Sequence, residues 1–235
     1  MNSTRATARS IGVLYVLMGA PAVFTHYITR AFIVPGDATA TARNITAGAL
    51  TYRLGILSFL VSGIAWILLV LSLYHLLKDV DRKQARLMVM LVAIAVAIDT
   101  VNLLNQMAPL ILLSGGDFLS SFTKPQLDAL ALGFLRLGSN GNDVAMTFWG
   151  LWLFPFGLLV MKSGFIPRLI GVLLVVGCFA YVAVSVTSIV LPAHRQIVNL
   201  VALPFYAIGE LAIMVWLFVK GGKVQLPEER PAYVS

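Results

Sequence analysis

Long apolar stretches recur along the chain, separated by short polar or glycine- and proline-bearing segments. Six such stretches, at about residues 10–28, 50–77, 87–113, 142–161, 169–191 and 198–219, reach the roughly 20 residues an α-helix needs to cross the hydrocarbon core. Only helices and closed barrels can span lipid, and these runs lack the period-2 alternation of barrel strands. The intervening Val34-Pro35-Gly36-Asp37, Ser114-Gly115-Gly116-Asp117 and Ser163-Gly164-Phe165-Ile166-Pro167 carry turn chemistry. The pattern predicts an all-α integral membrane protein with a single six-transmembrane-helix domain over residues 1–220 and a tail over 221–235.

Two segments need separate treatment. Arg5 and Arg9 precede the apolar run from Ile11 to Met18, and Ala20-Pro21-Ala22 has the form of a signal-peptidase site. Apolar residues nevertheless continue through Val23, Phe24, Tyr27 and Ile28, which favours a retained first span. Between the third and fourth spans, Leu127, Leu130, Phe134 and Leu137 recur at helical spacing. They predict an outer interfacial helix over about 125–137, or an extension of the fourth span, interrupted at Gly138-Ser139-Asn140-Gly141.

Composition agrees with this division. The chain is 59% hydrophobic and 11% charged, against roughly 45–50% and about 25% in soluble domains. A water-soluble fold, a disordered chain and a disulfide scaffold are thereby excluded, and Cys178 is the only cysteine. The net charge of +7 comes from 17 Lys and Arg placed mostly between apolar segments, so topology accounts for it and no nucleic-acid partner is implied. With the N-terminus in the cytoplasm, eleven basic residues, among them Lys78, Arg82, Lys83, Arg86, Lys162, Arg168, Lys220, Lys223 and Arg230, lie inside. Six lie outside: Arg30, Arg43, Arg53, Lys124, Arg136 and Arg195. The bias predicts an N-in/C-in arrangement, with 78–86 as the clearest cytoplasmic loop.

The run from Phe148 to Val182 contains a glycine-spaced span, the turn Lys162-Ser163-Gly164-Phe165-Ile166-Pro167-Arg168, and a Leu/Val/Gly-rich span reaching Tyr181. It resembles the bacterial membrane family catalogued as domain of unknown function 4386. Tyr52-Arg53-Leu54-Gly55 and Pro125-Gln126-Leu127-Asp128-Ala129-Leu130 are also similar, and the resemblance covers about residues 5–220. It implies a six-helix multi-pass protein of the bacterial inner membrane and carries no established activity, cofactor or catalytic residue.

Polar groups at membrane depth are costly and need a partner or a solvated cavity. Asp99 lies thirteen residues beyond Arg86, about 20 Å at 1.5 Å per residue. Asn102 and Gln106 follow on the same helical face. Glu210 lies ten residues before Lys220 in the last span, Arg53 opens the second on the outer side, and Asn142 and Asp143 open the fourth. His26 sits near the outer end of the first. Two arrangements satisfy these groups. Arg53 pairs with Asp99 or Asp143 to fix helix packing, with Glu210 protonated or hydrogen-bonded; or Arg53, Asp99, Asn102, Gln106, Asp143 and Glu210 line an outward-open polar pocket. Gly55, Ser58 and Ser62 predict a close packing seam, as do Gly171, Cys178 and Ser185. Pro21, Pro109, Pro155 and Pro204 are expected to bend their spans.

Catalytic and cofactor motifs are lacking. His26, His75 and His194 have no metal-ligand spacing, there is no nucleotide loop, and Gly138-Ser139-Asn140-Gly141 is too short for a nucleophile elbow. Trp66, Trp149, Trp152 and Trp216 read as lipid- or core-facing. The expected partners are the lipid bilayer and a small-molecule ligand, with no metal and no cofactor. Three functions fit: small-molecule binding or transport through the outward pocket, a membrane-embedded enzyme using Asp99 and Glu210 for proton transfer, or a structural accessory subunit.

Overall fold

The computed structural model describes residues 2–220, with side chains placed over 10–219; the tail over 221–235 lies outside the described residues. Eight α-helices occur: α1 (Asn2–Phe32), α2 (Ala38–Ala47), α3 (Ala49–Leu77), α4 (Arg82–Leu112), α5 (Lys124–Leu151), α6 (Leu153–Ser163), α7 (Arg168–Val190) and α8 (Arg195–Lys220). Six helical segments are long and apolar enough to cross a membrane, α5 and α6 together forming the segment Lys124–Ser163. The chain is an all-α, multi-pass membrane protein.

The spans form a closed ring in the order α1, α3, α4, α5/α6, α7, α8, with α8 packing back onto α1. Gly12 of α1 lies against the backbone of Phe218 near the end of α8, so both ends of the described chain are on the same side of the bundle. The terminal half of the bundle is dry. Ile11, Leu69, Leu73, Leu77, Met88, Val92, Phe156 and Leu159 are fully or almost fully buried there in one cluster. Large apolar side chains also cover the outside, as on α3 at Leu57, Leu60, Ile64 and Leu68, which suits a surface solvated by lipid.

Helix contacts use small residues and hydroxyls rather than bulk. Thr25 donates to the carbonyl of Gly55 at 2.7 Å, Ser58 to that of Pro21 at 3.3 Å, and Ser62 to that of Met18. The expected Gly55/Ser58/Ser62 seam therefore joins α3 to α1, and Pro21's own carbonyl accepts hydroxyls from both Ser58 and Thr25. Between α6 and α7 the backbones approach so closely that a Cβ at Gly157 would lie 2.6 Å from the carbonyl oxygen of Gly171, and one at Gly171 would lie 2.7 Å from that of Gly157. Such close approach is how membrane helices gain van der Waals contact where lipid removes the hydrophobic drive.

The 124–163 segment departs from its sequence reading in two ways. The helix runs unbroken through Gly138-Ser139-Asn140-Gly141 and breaks at Trp152 instead. Pro155 explains the position: it has no N–H for the carbonyl four residues earlier, and its ring crowds that carbonyl. The apolar stripe is also inverted relative to a soluble helix. Leu130, Phe134 and Leu137 are exposed, while Asp128, Ala131, Leu135 and Gly138 are buried. Thr123 and Gln126 form a capping box at its start, and Lys124 holds the buried Asp128 carboxylate at 2.9 Å. Outside this segment, α2 is an element absent from the sequence reading; it is too short and polar to register as a span. Asp37 caps it by accepting from the Ala40 N–H at 2.8 Å, and its Ile45 packs with Tyr52 and Leu135.

At the terminal end, Asp81 caps α4 by accepting from the backbone N–H groups of Lys83 and Gln84, both at 3.2 Å, and takes Lys162 Nζ at 2.7 Å. The cap therefore also ties α4 to the α6–α7 turn. The Lys162 hydrogen bond, then that from Gln84, pulls the Asp81 pKa below its ordinary value. Because the folded state favours the carboxylate, its contribution to stability is present above about pH 4, the usual Asp value, and is lost as pH falls through the lower folded value. Asp81→Asn keeps a capping oxygen but not the charge. Its melting temperature should lie below that of the parent at pH 7, and the gap should close below about pH 4. A gap unchanged at acid pH would remove the charge from the account.

Candidate functional site

A cavity of about 370 Å³ lies at the centre of the ring and draws its wall from all six spans. Its deep wall carries Asp99 from α4, Trp149 from α5, Trp152 from the break, Tyr181 from α7, Glu210 from α8 and Trp66 from α3. Every wall residue is at least eight residues from the end of its spanning segment, about 12 Å along a helix. The cavity thus sits at mid-depth. Its outer wall includes Val23, Leu60, Ile64 and Ile67, all exposed on the lipid-facing surface. The space is therefore continuous with the side of the bundle.

Asp99 is 6% exposed. Its Oδ2 accepts the indole N–H of Trp149 at 2.9 Å, whereas Oδ1 has no hydrogen-bond partner. The indole N–H of Trp66 is likewise buried and without a partner. Glu210 Oε1 accepts the Tyr181 hydroxyl at 2.9 Å. Tyr181 in turn stacks on Tyr206, with ring centroids 4.2 Å apart, and Tyr206 donates to Asn199 at 3.1 Å. The carboxylates are thus each held by one aromatic donor from a neighbouring helix. Among the described residues no lysine, arginine or histidine lines the cavity. Among the described residues no three His, Cys, Asp or Glu side chains gather as a metal site.

Of the six residues singled out in the sequence, Asp99 and Glu210 meet on this wall and four do not. Asn102 and Gln106 share the buried face of α4 with Asp99, but they lie further toward the α2 end. Asn102 donates to the Gly138 carbonyl at 2.8 Å and to Asn142 at 2.7 Å, and Gln106 receives the Tyr52 hydroxyl on its backbone carbonyl at 2.9 Å. These contacts bind α4 to α5 and α3. Gly141 makes room for Asn102: a Cβ there would lie 2.2 Å from the Asn102 amide oxygen. Asp143 is paired with Arg195 at 2.8 Å, and Arg195 also donates to Ser139 at 3.3 Å. Arg53 pairs with neither Asp99 nor Asp143. It lies on the exposed α3 face with Leu57, Leu60 and Ile64, because Gly55 and Ser62 turn the opposite face to α1.

The family model described as Domain of unknown function (DUF4386) matches residues 10–221, which is all six spans and the cavity. The chain belongs to the DUF4386 family. No curated protein and no solved structure matches it. Within this DUF4386 chain Trp152 is in the buried core and Trp66 and Trp216 pack against it, as a core-facing reading has it. Trp66, Trp149 and Trp152 also line the cavity, which the sequence reading did not anticipate. The available signal was depth. Tryptophan favours the membrane–water interface, so an indole at mid-span needs a polar partner for its N–H.

The Asp99–Trp149 contact can be measured as a cycle. Trp149→Phe strands a buried carboxylate and should cost about 1–3 kcal/mol, whereas removing both partners in Asp99→Leu/Trp149→Phe should recover much of that loss. Thermal unfolding of the protein in lipid nanodiscs provides the measurement. Additive losses would mean that the hydrogen bond contributes no coupling.

Proposed function

We propose that this DUF4386 chain is a small-molecule-binding or transport-related protein of the bacterial cytoplasmic membrane, with both termini on the cytoplasmic side. The observation that supports the reading is the mid-depth cavity whose wall holds two acidic side chains, one with an oxygen lacking any partner. An unsatisfied buried acceptor costs free energy, and at Asp99 it belongs to a cavity-wall residue, where a bound molecule can supply the missing partner. The volume falls in the roughly 300–1,000 Å³ range of ligand sites. The reading moves the site inward from the outer pocket expected from sequence, to the middle of the bundle and its lipid side.

A second reading is a membrane-embedded enzyme that moves protons through Asp99 and Glu210. It is favoured by the same shared wall and by the Tyr181 hydroxyl donating to Glu210. Binding that survives in the Asp99→Asn/Glu210→Gln protein, with loss of chemical turnover of the bound molecule, would select this reading.

Gently purified protein should retain a compact molecule detectable by native mass spectrometry. Gly19→Leu, at a cavity-wall position where a Cβ meets nothing within 4 Å, should lower its occupancy while leaving the fold intact. Identical spectra for both proteins would overturn the binding site. Orientation is tested independently: reporters fused after Lys83 and Lys223 should read cytoplasmic, and one after Asp117 should read periplasmic. A periplasmic reading after Lys223 would refute the N-in/C-in arrangement.

A further inference from the structure

From the composition of the cavity wall we infer that its ligand is an amphiphile with a cationic head, of the alkylammonium class, reached from the bilayer through the side of the bundle. The inference rests on reading the cavity as a ligand site and specifies which chemistry it takes. Asp99 and Glu210 are the acids on the wall, and among the described residues no basic side chain accompanies them there. An ionised carboxylate in a low-dielectric interior is strongly unfavourable unless it takes up a proton or meets a positive charge. A cationic head bound between the two acids supplies the latter. Asp99 has an oxygen with no partner and can accept one more interaction.

The rest of the wall suits the same head. Trp66 and Trp152 meet edge to face with centroids 5.8 Å apart, and Trp149 and Tyr181 complete an aromatic surround. Aromatic faces attract ammonium groups through the ring quadrupole, and more strongly when the site is desolvated. An anionic or neutral head would gain neither charge pairing nor that attraction. The outer wall favours an apolar tail. Leu60, Ile64 and Ile67 are lipid-facing where they line the cavity, so a chain can remain in hydrocarbon while the head sits inside. Entry from water would instead require passage past the dry terminal cluster or the α2 end.

The test uses three ten-carbon probes that differ in head charge: decyltrimethylammonium, decanol and decanesulfonate. Their binding to the full chain in dodecyl-maltoside micelles is measured by equilibrium dialysis, with protein-free micelles subtracted. The ammonium should bind at least ten-fold more tightly than either other probe. That preference should fall below three-fold in the Asp99→Asn/Glu210→Gln protein, and Gly19→Leu should weaken ammonium binding without lowering the melting temperature. Should the double variant fail to fold, the parent's ranking of the three probes still decides the matter. Equal affinity for all three, with loss on Gly19→Leu, overturns the cationic class while leaving a ligand site in place. Tighter sulfonate binding overturns it as well. Ammonium binding unaffected by Gly19→Leu places the probe outside the cavity and overturns the inference. Absence of saturable binding by any probe overturns the inference and counts against the site itself.

Discussion

Hydrocarbon offers no hydrogen bonds, and this single constraint shapes every polar feature of the bundle. A buried donor or acceptor must find its partner within the protein, on its own helix or on a neighbouring one. The hydroxyls of Thr25, Ser58 and Ser62 therefore end on carbonyls across the α1–α3 seam, and the Asn102 amide ends on α5. Asp143 closes on Arg195, which joins α5 to α8. These contacts exhaust the polar groups they use. The rule is left incomplete at Tyr15, Gln84, Gln106 and Ser188, and on the cavity wall at Asp99 Oδ1 and the Trp66 indole.

The division of the bundle into two halves follows from the same constraint. Where side chains are wholly apolar, as around Leu73, Met88 and Phe156, helices can pack without polar ties. Toward the α2 end the buried faces carry Asn102, Gln106 and Asp143, and small residues such as Gly138 and Gly141 give them space. The cavity lies where the two regimes meet. It is bounded on one side by the aromatic stack of Trp152 and Phe156, with centroids 5.3 Å apart.

The sequence makes the fold class and the six spans legible because a run of apolar residues long enough to cross a bilayer leaves few alternatives. The depth of Asp99 and Glu210 follows from residue counting along a helix, and so their meeting on one wall was partly readable. The partners were not. Arg53 and Arg195 both lie near the α2 end, and only the rotation of α3 and α8 decides which one reaches Asp143. The break at Trp152 was encoded by Pro155, but the glycines at 138 and 141 gave a stronger local turn signal. Their smallness serves the neighbouring α4, a role with no local signature. Helix α2 escaped notice because its ten residues are held by a cap and by packing on α5 rather than by apolar periodicity.

The closed ring has a consequence for how the molecule is made. Its first helix packs against the last, and Glu210, which completes the cavity wall, lies on that last helix. During synthesis α1 has only α3 as a lasting neighbour on the ring until α8 enters the bilayer. A nascent chain that lacks α8 has a wall without Glu210, and the two acids share the cavity only once α8 is in place. Completion of the wall thereby waits for α8, and a chain halted before α8 would be left with an open flank on α1 and α7.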